Sequence, residues 1–146
     1  MSSVLFNKAS KPVFSVPREI TVLDAVRLMV DKRVGAALIV DDGRPAGIFT
    51  ERDLMNKIVA QGKDPAHVRV GEVMTSPVVP IRVDAELDDA VRLMIQRHIR
   101  HLPLVDPEGK VLGMLSIRHL MADEIDSLRH AVSGLEAYAG YDGAGG

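Results

Sequence analysis

Two short stretches carry the residue types that could do chemistry. Gly47-Ile-Phe-Thr-Glu-Arg-Asp53 sets a hydroxyl (Thr50) and a carboxylate (Asp53) three residues apart with Arg52 beside them, and Gly113-Met-Leu-Ser-Ile-Arg-His119 repeats the layout with Ser116, Arg118 and His119. In each, an apolar run ends at the hydroxyl residue and a helical pattern opens, Leu54-Met55 in one and Leu120-Met121 in the other. A strand feeding a helix N-terminus is predicted. Such a terminus has unpaired backbone N–H groups and a partial positive charge, which suit an anion such as phosphate. Arg97-His-Ile-Arg-His101 adds guanidinium and imidazole groups, suited either to phosphate or to a helix C-terminus. Thr50 and Asp53 at i and i+3 equally fit a helix cap that requires no ligand. Both readings stay open at this point. His98 and His101 lack a third ligand nearby, and His119 belongs to no triad, so neither a metal site nor an enzyme is expected.

Composition narrows the classes. The chain has 146 residues, 47% hydrophobic and 26% charged, with a net charge of -2, which describes a globular protein without a nucleic-acid footprint. Aromatics at 3% leave no base-stacking platform. With no cysteine, disulfides and thiolate sites are excluded. No apolar run approaches membrane-spanning length and the N-terminus lacks a secretory core, so a cytoplasmic protein with no membrane or nucleic-acid partner is expected.

The elements that must position these residues come from a duplication. Ala25-Val-Arg-Leu-Met29 recurs unchanged at Ala90-Val-Arg-Leu-Met94. Val22, Ala25, Val26, Met29 and Val30 form a one-sided helical face that Leu87, Ala90, Val91, Met94 and Ile95 reproduce. Thr21 is the expected N-cap of the first helix, with Glu86 at the matching place. Apolar runs at Ala37-Leu-Ile-Val40 and Leu102-Pro-Leu-Val105 follow, each closed by a turn rich in Asp, Gly or Pro. Leading strands are predicted over residues 13–16 and 78–82, and one helical turn over Val70-Gly-Glu-Val-Met74. Halves of about 60 residues bury too little surface alone, so their sheets are expected to pack together. Met121, Ile125, Leu128, Val132 and Leu135 trace a heptad seam, which fits packing on the chain's own domain or a dimer contact. Leu23, Leu28 and Leu93, partly off the main faces, hint at further association. The glycine-rich tail from residue 141 to 146 is expected to be disordered.

With these motifs assembled, the chain resembles a tandem of cystathionine β-synthase (CBS) domains, the pair called a Bateman module. The parts that carry the resemblance are Gly47 to Asp53, Val73-Met-Thr-Ser-Pro77 and Arg97-His-Ile-Arg-His-Leu-Pro103. It implies an α+β fold of two β-α-β-β-α repeats packed through their sheets with pseudo-two-fold symmetry, plus a C-terminal helix. The corresponding division is residues 1–62 for the first domain, 63–74 for a linker, 75–125 for the second domain and 126–140 for the C-terminal helix. It also implies disc-like dimers and a regulatory role, and an adenine nucleotide in the cleft between halves: AMP first, with ADP, ATP, NADH or S-adenosylmethionine as further ligand types.

Carried over by motif, the resemblance gives Asp53 the ribose hydroxyls and Thr50 the phosphate, with Arg52 adding charge. From the other half, Ile99 would pack on the adenine, Arg100 and His101 would reach phosphate, and Val79 and Pro80 would wall the base slot. The second site departs from the pattern. It has Gly35 and Ala36 in place of the cationic pair and His119 in place of the acid, beside Ser116 and Arg118. One strong site and one weak or vacant site are therefore expected. The competing expectation is an interaction module with vestigial clefts, which dimerises and binds an unidentified protein partner without ligand.

Overall fold

The computed structural model describes residues 3–139; the predicted disordered tail lies outside them. In order, the elements are α1 (Val4–Lys8), β1 (Ser15–Val16), α2 (Val22–Lys32), β2 (Ala36–Asp41), β3 (Arg44–Thr50) and α3 (Glu51–Asp53), which runs on as a π-helical turn, Leu54–Val59. A 3-10 turn (Pro65–His67) leads to α4 (Val70–Val73), then β4 (Ile81–Arg82), α5 (Leu87–Arg97), β5 (His101–Val105), β6 (Val111–Ser116) and α6 (Ile117–Ala139). Two three-stranded sheets result, β1-β2-β3 and β4-β5-β6, each with a parallel outer pair and an antiparallel hairpin. The α+β architecture and the internal pseudo-symmetry read from the sequence are both present.

The repeat holds down to local detail. Both hairpins shift register at matching places, between Ile39 and Val40 and between Leu104 and Val105. Helices α2 and α5 end on residues in the left-handed region, Arg33 (φ 58°) and His98 (φ 53°). In each the next amide reaches back a full turn, Val34 N–H to Met29 O at 3.0 Å and Ile99 N–H to Met94 O at 3.0 Å. This termination turns the chain sharply and delivers Gly35 and Arg100 to equivalent positions. The Thr21 hydroxyl accepts from Asp24 N–H at 3.1 Å, as expected of an N-cap. At Glu86 the Asp89 carboxylate instead reaches back to the Glu86 amide at 3.2 Å.

Each half has its own core. Val22, Ala25, Met29, Ala37, Ile39 and Phe49 centre the first, and Ala90, Met94, Leu102, Leu104 and Leu115 the second. β2 and β5 are also buried on the side away from these cores, at Ala36 and Leu38 and at Pro103 and Val105, where the sheets pack on one another. The hairpin tips meet as well: Val111 N–H donates to Gly43 O at 2.8 Å, and Lys110 Nζ to Asp42 O at 2.9 Å.

The lead-in segments are exchanged between halves. α1 places Leu5 and Ala9 in the second core, whereas α4 places Val70 and Val73 in the first. Ser10 pairs with Met114 on β6, and Thr75 pairs with Ile48 on β3. Helix α1 was not foreseen, although Ser3 caps it through Phe6 N–H at 2.9 Å. The leading strands are shorter than predicted, two residues each rather than four or five. Val30 and Ile95, expected to be inward, are 71% and 65% exposed. At i+8 each stands about 80° around the helix from the first residue of its face, beyond the edge of the buried stripe. Among the described residues no helix is long and apolar enough to cross a membrane.

Candidate functional site

β2 and β3 bring Ala36 opposite Thr50, and β5 and β6 bring His101 opposite Ser116. Just beyond, the first amide of α3 donates to Gly35 O (Glu51 N–H, 3.0 Å) and that of α6 to Arg100 O (Ile117 N–H, 2.9 Å). These two bonds match one another across the repeat. They establish that Gly35 and Ala36 hold in the first half the positions that Arg100 and His101 hold in the second.

The two halves meet electrostatically at His101. Burial holds its pKa below the usual histidine value; Glu51, from the first half, opposes the shift, and Arg100 and Arg118 add to it. Glu51 on α3, Arg100 just before β5 and Arg118 on α6 thus all act on the one imidazole. Arg100 and Arg118 are exposed and His101 is partly so. Glu51 was passed over in the sequence, although Gly35 held the signal. A Cβ at Gly35 would lie 2.9 Å from Glu51 Oε1, so the absent side chain makes room for this carboxylate.

Asp53 sits deeper, at 6% exposure. Its Oδ2 accepts from Thr50 N–H at 3.0 Å and from the Thr50 hydroxyl at 3.2 Å, while Thr50 Oγ1 accepts from Asp53 N–H at 3.2 Å. This is the capping box that the spacing permitted, fully formed. Oδ1 accepts from the Thr75 hydroxyl at 2.9 Å and pairs with Lys57 Nζ at 3.1 Å. Lys57, at i+4, also donates to Val73 O at 2.9 Å. Thr75 and Lys57 were likewise missed; Thr75 lay in plain view within the Val73 to Pro77 motif.

The remaining predicted residues are spread around this centre. Arg52, Arg118 and His119 are exposed on the first turns of their helices. Ile99 is half-buried and packs against the second core. Val79 is half-buried and Pro80 exposed, on the segment before β4. The two concave surfaces described lie elsewhere, one among Arg18, Glu19, Arg69, Gly71 and Glu72 and one along α6.

A duplicated β-α-β-β-α unit with exchanged lead-ins and paired strand-to-helix corners has a counterpart among known proteins. The CBS domain family matches this chain twice, over residues 4–60 and 70–125. The chain belongs to the CBS-domain family. An uncharacterized protein of Methanopyrus kandleri is 37% identical to this CBS pair over 105 residues, covering 71% of the chain and 54% of the relative, so the chain spans about half that relative's length. A CBS-domain structure from Burkholderia ambifaria is 35% identical with a TM-score of 0.77, covering 86% of this chain and 95% of the other. A further CBS pair, solved in complex with 5′-methylthioadenosine and S-adenosyl-L-methionine, shares the fold at a TM-score of 0.76 and 23% identity, covering 87% and 99%.

Proposed function

We propose that the CBS pair is a regulatory sensor, not an enzyme, that binds an adenine nucleotide between its halves, AMP foremost, with ADP, ATP or NADH as alternatives. The supporting observation is the cross-half cluster at His101, where Arg100 is exposed and able to meet phosphate beside the α3 corner. The adenosine-containing ligands of one CBS-pair neighbour support the choice of ligand class. A ribose diol would reach Asp53 by taking Oδ1 from Thr75 and Lys57, both at the rim. The primary site comprises Thr50, Arg52, Asp53, Val79, Pro80, Ile99, Arg100 and His101. The site of Gly35, Ala36, Ser116, Arg118 and His119 is the weaker, because Gly35 and Ala36 supply no cation in place of Arg100 and His101, and His119 stands where the other site has Asp53. A nucleotide spanning the halves stabilises one relative orientation, which a partner reads. The proposal includes cytoplasmic residence and a homodimer.

Calorimetric titration of AMP, ADP, ATP, NADH and S-adenosylmethionine tests this reading. One tight site is expected, weakened about ten- to a hundred-fold by Arg100→Ala, the loss of one charge-assisted hydrogen bond. Arg100 is the diagnostic position because it is exposed, whereas Asp53 also holds its corner together. Silence with all five ligands eliminates the sensor, and two equal tight sites eliminate the asymmetry.

The His101 shift gives a second expected outcome. A bound phosphate favours imidazolium, so binding takes up a proton, and affinity should rise as pH falls toward the lowered pKa of His101 in the free protein and level off below it. In the free protein the sign is opposite: a lowered pKa gives stability that is present above the ordinary histidine value and lost as pH falls through the lowered one. Subtracting the titration of His101→Gln removes the ligand's own ionisation. Parallel curves for the two proteins would separate His101 from phosphate.

A further inference from the structure

The base of α6 is anchored and its remainder is not. Leu120 is buried in the second core, Ile117 packs beside it, and Lys8 pairs with Asp123 at 3.4 Å. From residue 124 to 136 every residue is exposed. Roughly four turns therefore project from the domain, and an isolated helix of that length is marginal in water. Met121, Ile125, Leu128, Val132 and Leu135, between 48% and 67% exposed, lie along this projection. The stripe stands about 100° round the helix from Leu120, so it does not compete with the anchoring contact. The choice that the spacing left open is thereby resolved against packing on the chain's own domain.

We propose that α6 forms a parallel two-stranded zipper with α6 of a second copy, which supplies the means of the homodimerisation named above and is independent of what the cleft binds. Three observations select this occupant. The apolar positions alternate by four and three, placing Ile125 and Val132 at a and Met121, Leu128 and Leu135 at d. β-Branched residues at a with leucine at d are the combination that favours two parallel strands. In that alignment Glu124 occupies g and Arg129 the following e, so Glu124 of each copy faces Arg129 of the other, two opposite-charge pairs flanking the seam. A shallow groove lined by Ile125, Leu128, Arg129, Val132, Ser133 and Glu136 already runs along this face. The seam begins at Met121; Arg118, one step earlier, lies within the field of His101.

Sedimentation analysis of the full chain over a concentration series is the test. The wild type is expected to dimerise, and Leu128→Asp to weaken the dimer at least ten-fold without lowering the melting temperature of the monomer, because Leu128 touches neither core. Glu124→Arg and Arg129→Glu should each weaken association, and the double exchange should restore it. The chain has no native cysteine. Leu135→Cys should therefore cross-link to itself under oxidised glutathione faster than His130→Cys, at the f position on the opposite face of the helix. A wild type that stays monomeric, a dimer indifferent to Leu128→Asp, or cross-linking of Leu135→Cys only to Met121→Cys, as antiparallel helices require, overturns the proposal. Nucleotide binding by Leu128→Asp, and dimerisation by Arg100→Ala, keep failure of the zipper distinct from failure of the sensor.

Discussion

Asp53→Ala is expected to lower the unfolding free energy by about 2–4 kcal/mol, through a lost helix cap and a half-buried amide left without its acceptor. The carboxylate accepts from Thr50 N–H, the Thr50 hydroxyl and the Thr75 hydroxyl and pairs with Lys57, so α3, β3 and the segment entering the second half all lean on it. The Lys57 pair contributes least. Its side chain is about a third exposed and the ammonium can turn to water, which makes such a pair worth roughly 1 kcal/mol or less. Asp53→Asn keeps an acceptor for the Thr50 amide and gives up the ion pair, so it should cost clearly less than alanine. Urea melts at neutral pH decide the matter: alanine and asparagine variants both indistinguishable from wild type would mean that the network carries no stability. The result bears directly on function. An Asp53→Ala protein that fails to bind nucleotide has lost its corner as well as its ribose acceptor, and only a parallel loss in Arg100→Ala, at unchanged stability, assigns the effect to the ligand.

The duplication made the architecture legible. Ala25 to Met29 and Ala90 to Met94 are identical, their apolar faces coincide, and the two Gly-x-x-hydroxyl stretches fall at matching distances. Pattern recognises contacts local in sequence, which is why the helices, the hairpins and the Thr21 cap were readable. The exchange of lead-ins was not, because Leu5 and Val70 look alike whichever half buries them; only tertiary structure shows that each crosses to the other core. The site was half readable for the same reason. Thr50 and Asp53 announce a cap or an anion corner by spacing alone, but the carboxylate's further partners stand four and twenty-two residues away, at Lys57 and Thr75. Glu51 was hidden differently. Its carboxylate acts on His101 from a place that a side chain at Gly35 would fill.

Gly113→Ala should destabilise the protein by about 2–4 kcal/mol, more than its counterpart Gly47→Ala, because one clash meets a wall and the other a flexible chain. A Cβ at Gly113 would stand 2.8 Å from the Ser10 carbonyl oxygen and 3.1 Å from both Ala9 Cβ and Lys11 Cγ. That backbone is held by its own pairing, Ser10 N–H to Met114 O at 2.9 Å and Met114 N–H to Ser10 O at 3.2 Å. It can yield only by lifting off β6, which draws α1 away and uncovers Leu5, fully buried in the second core. At Gly47 the obstacle is the Met74 side chain, whose Cγ would lie 2.8 Å away and whose thioether can take another rotamer. Hydrogen exchange makes the distinction visible. In Gly113→Ala the amides of Ser10 and Met114 should lose protection together while those of Ile48 and Thr75, the equivalent pair in the other half, keep theirs. Equal destabilisation by both alanines, with Ser10 still protected, would show that α1 is held by its apolar side chains alone and that the strand-like pairing at Gly113 contributes little.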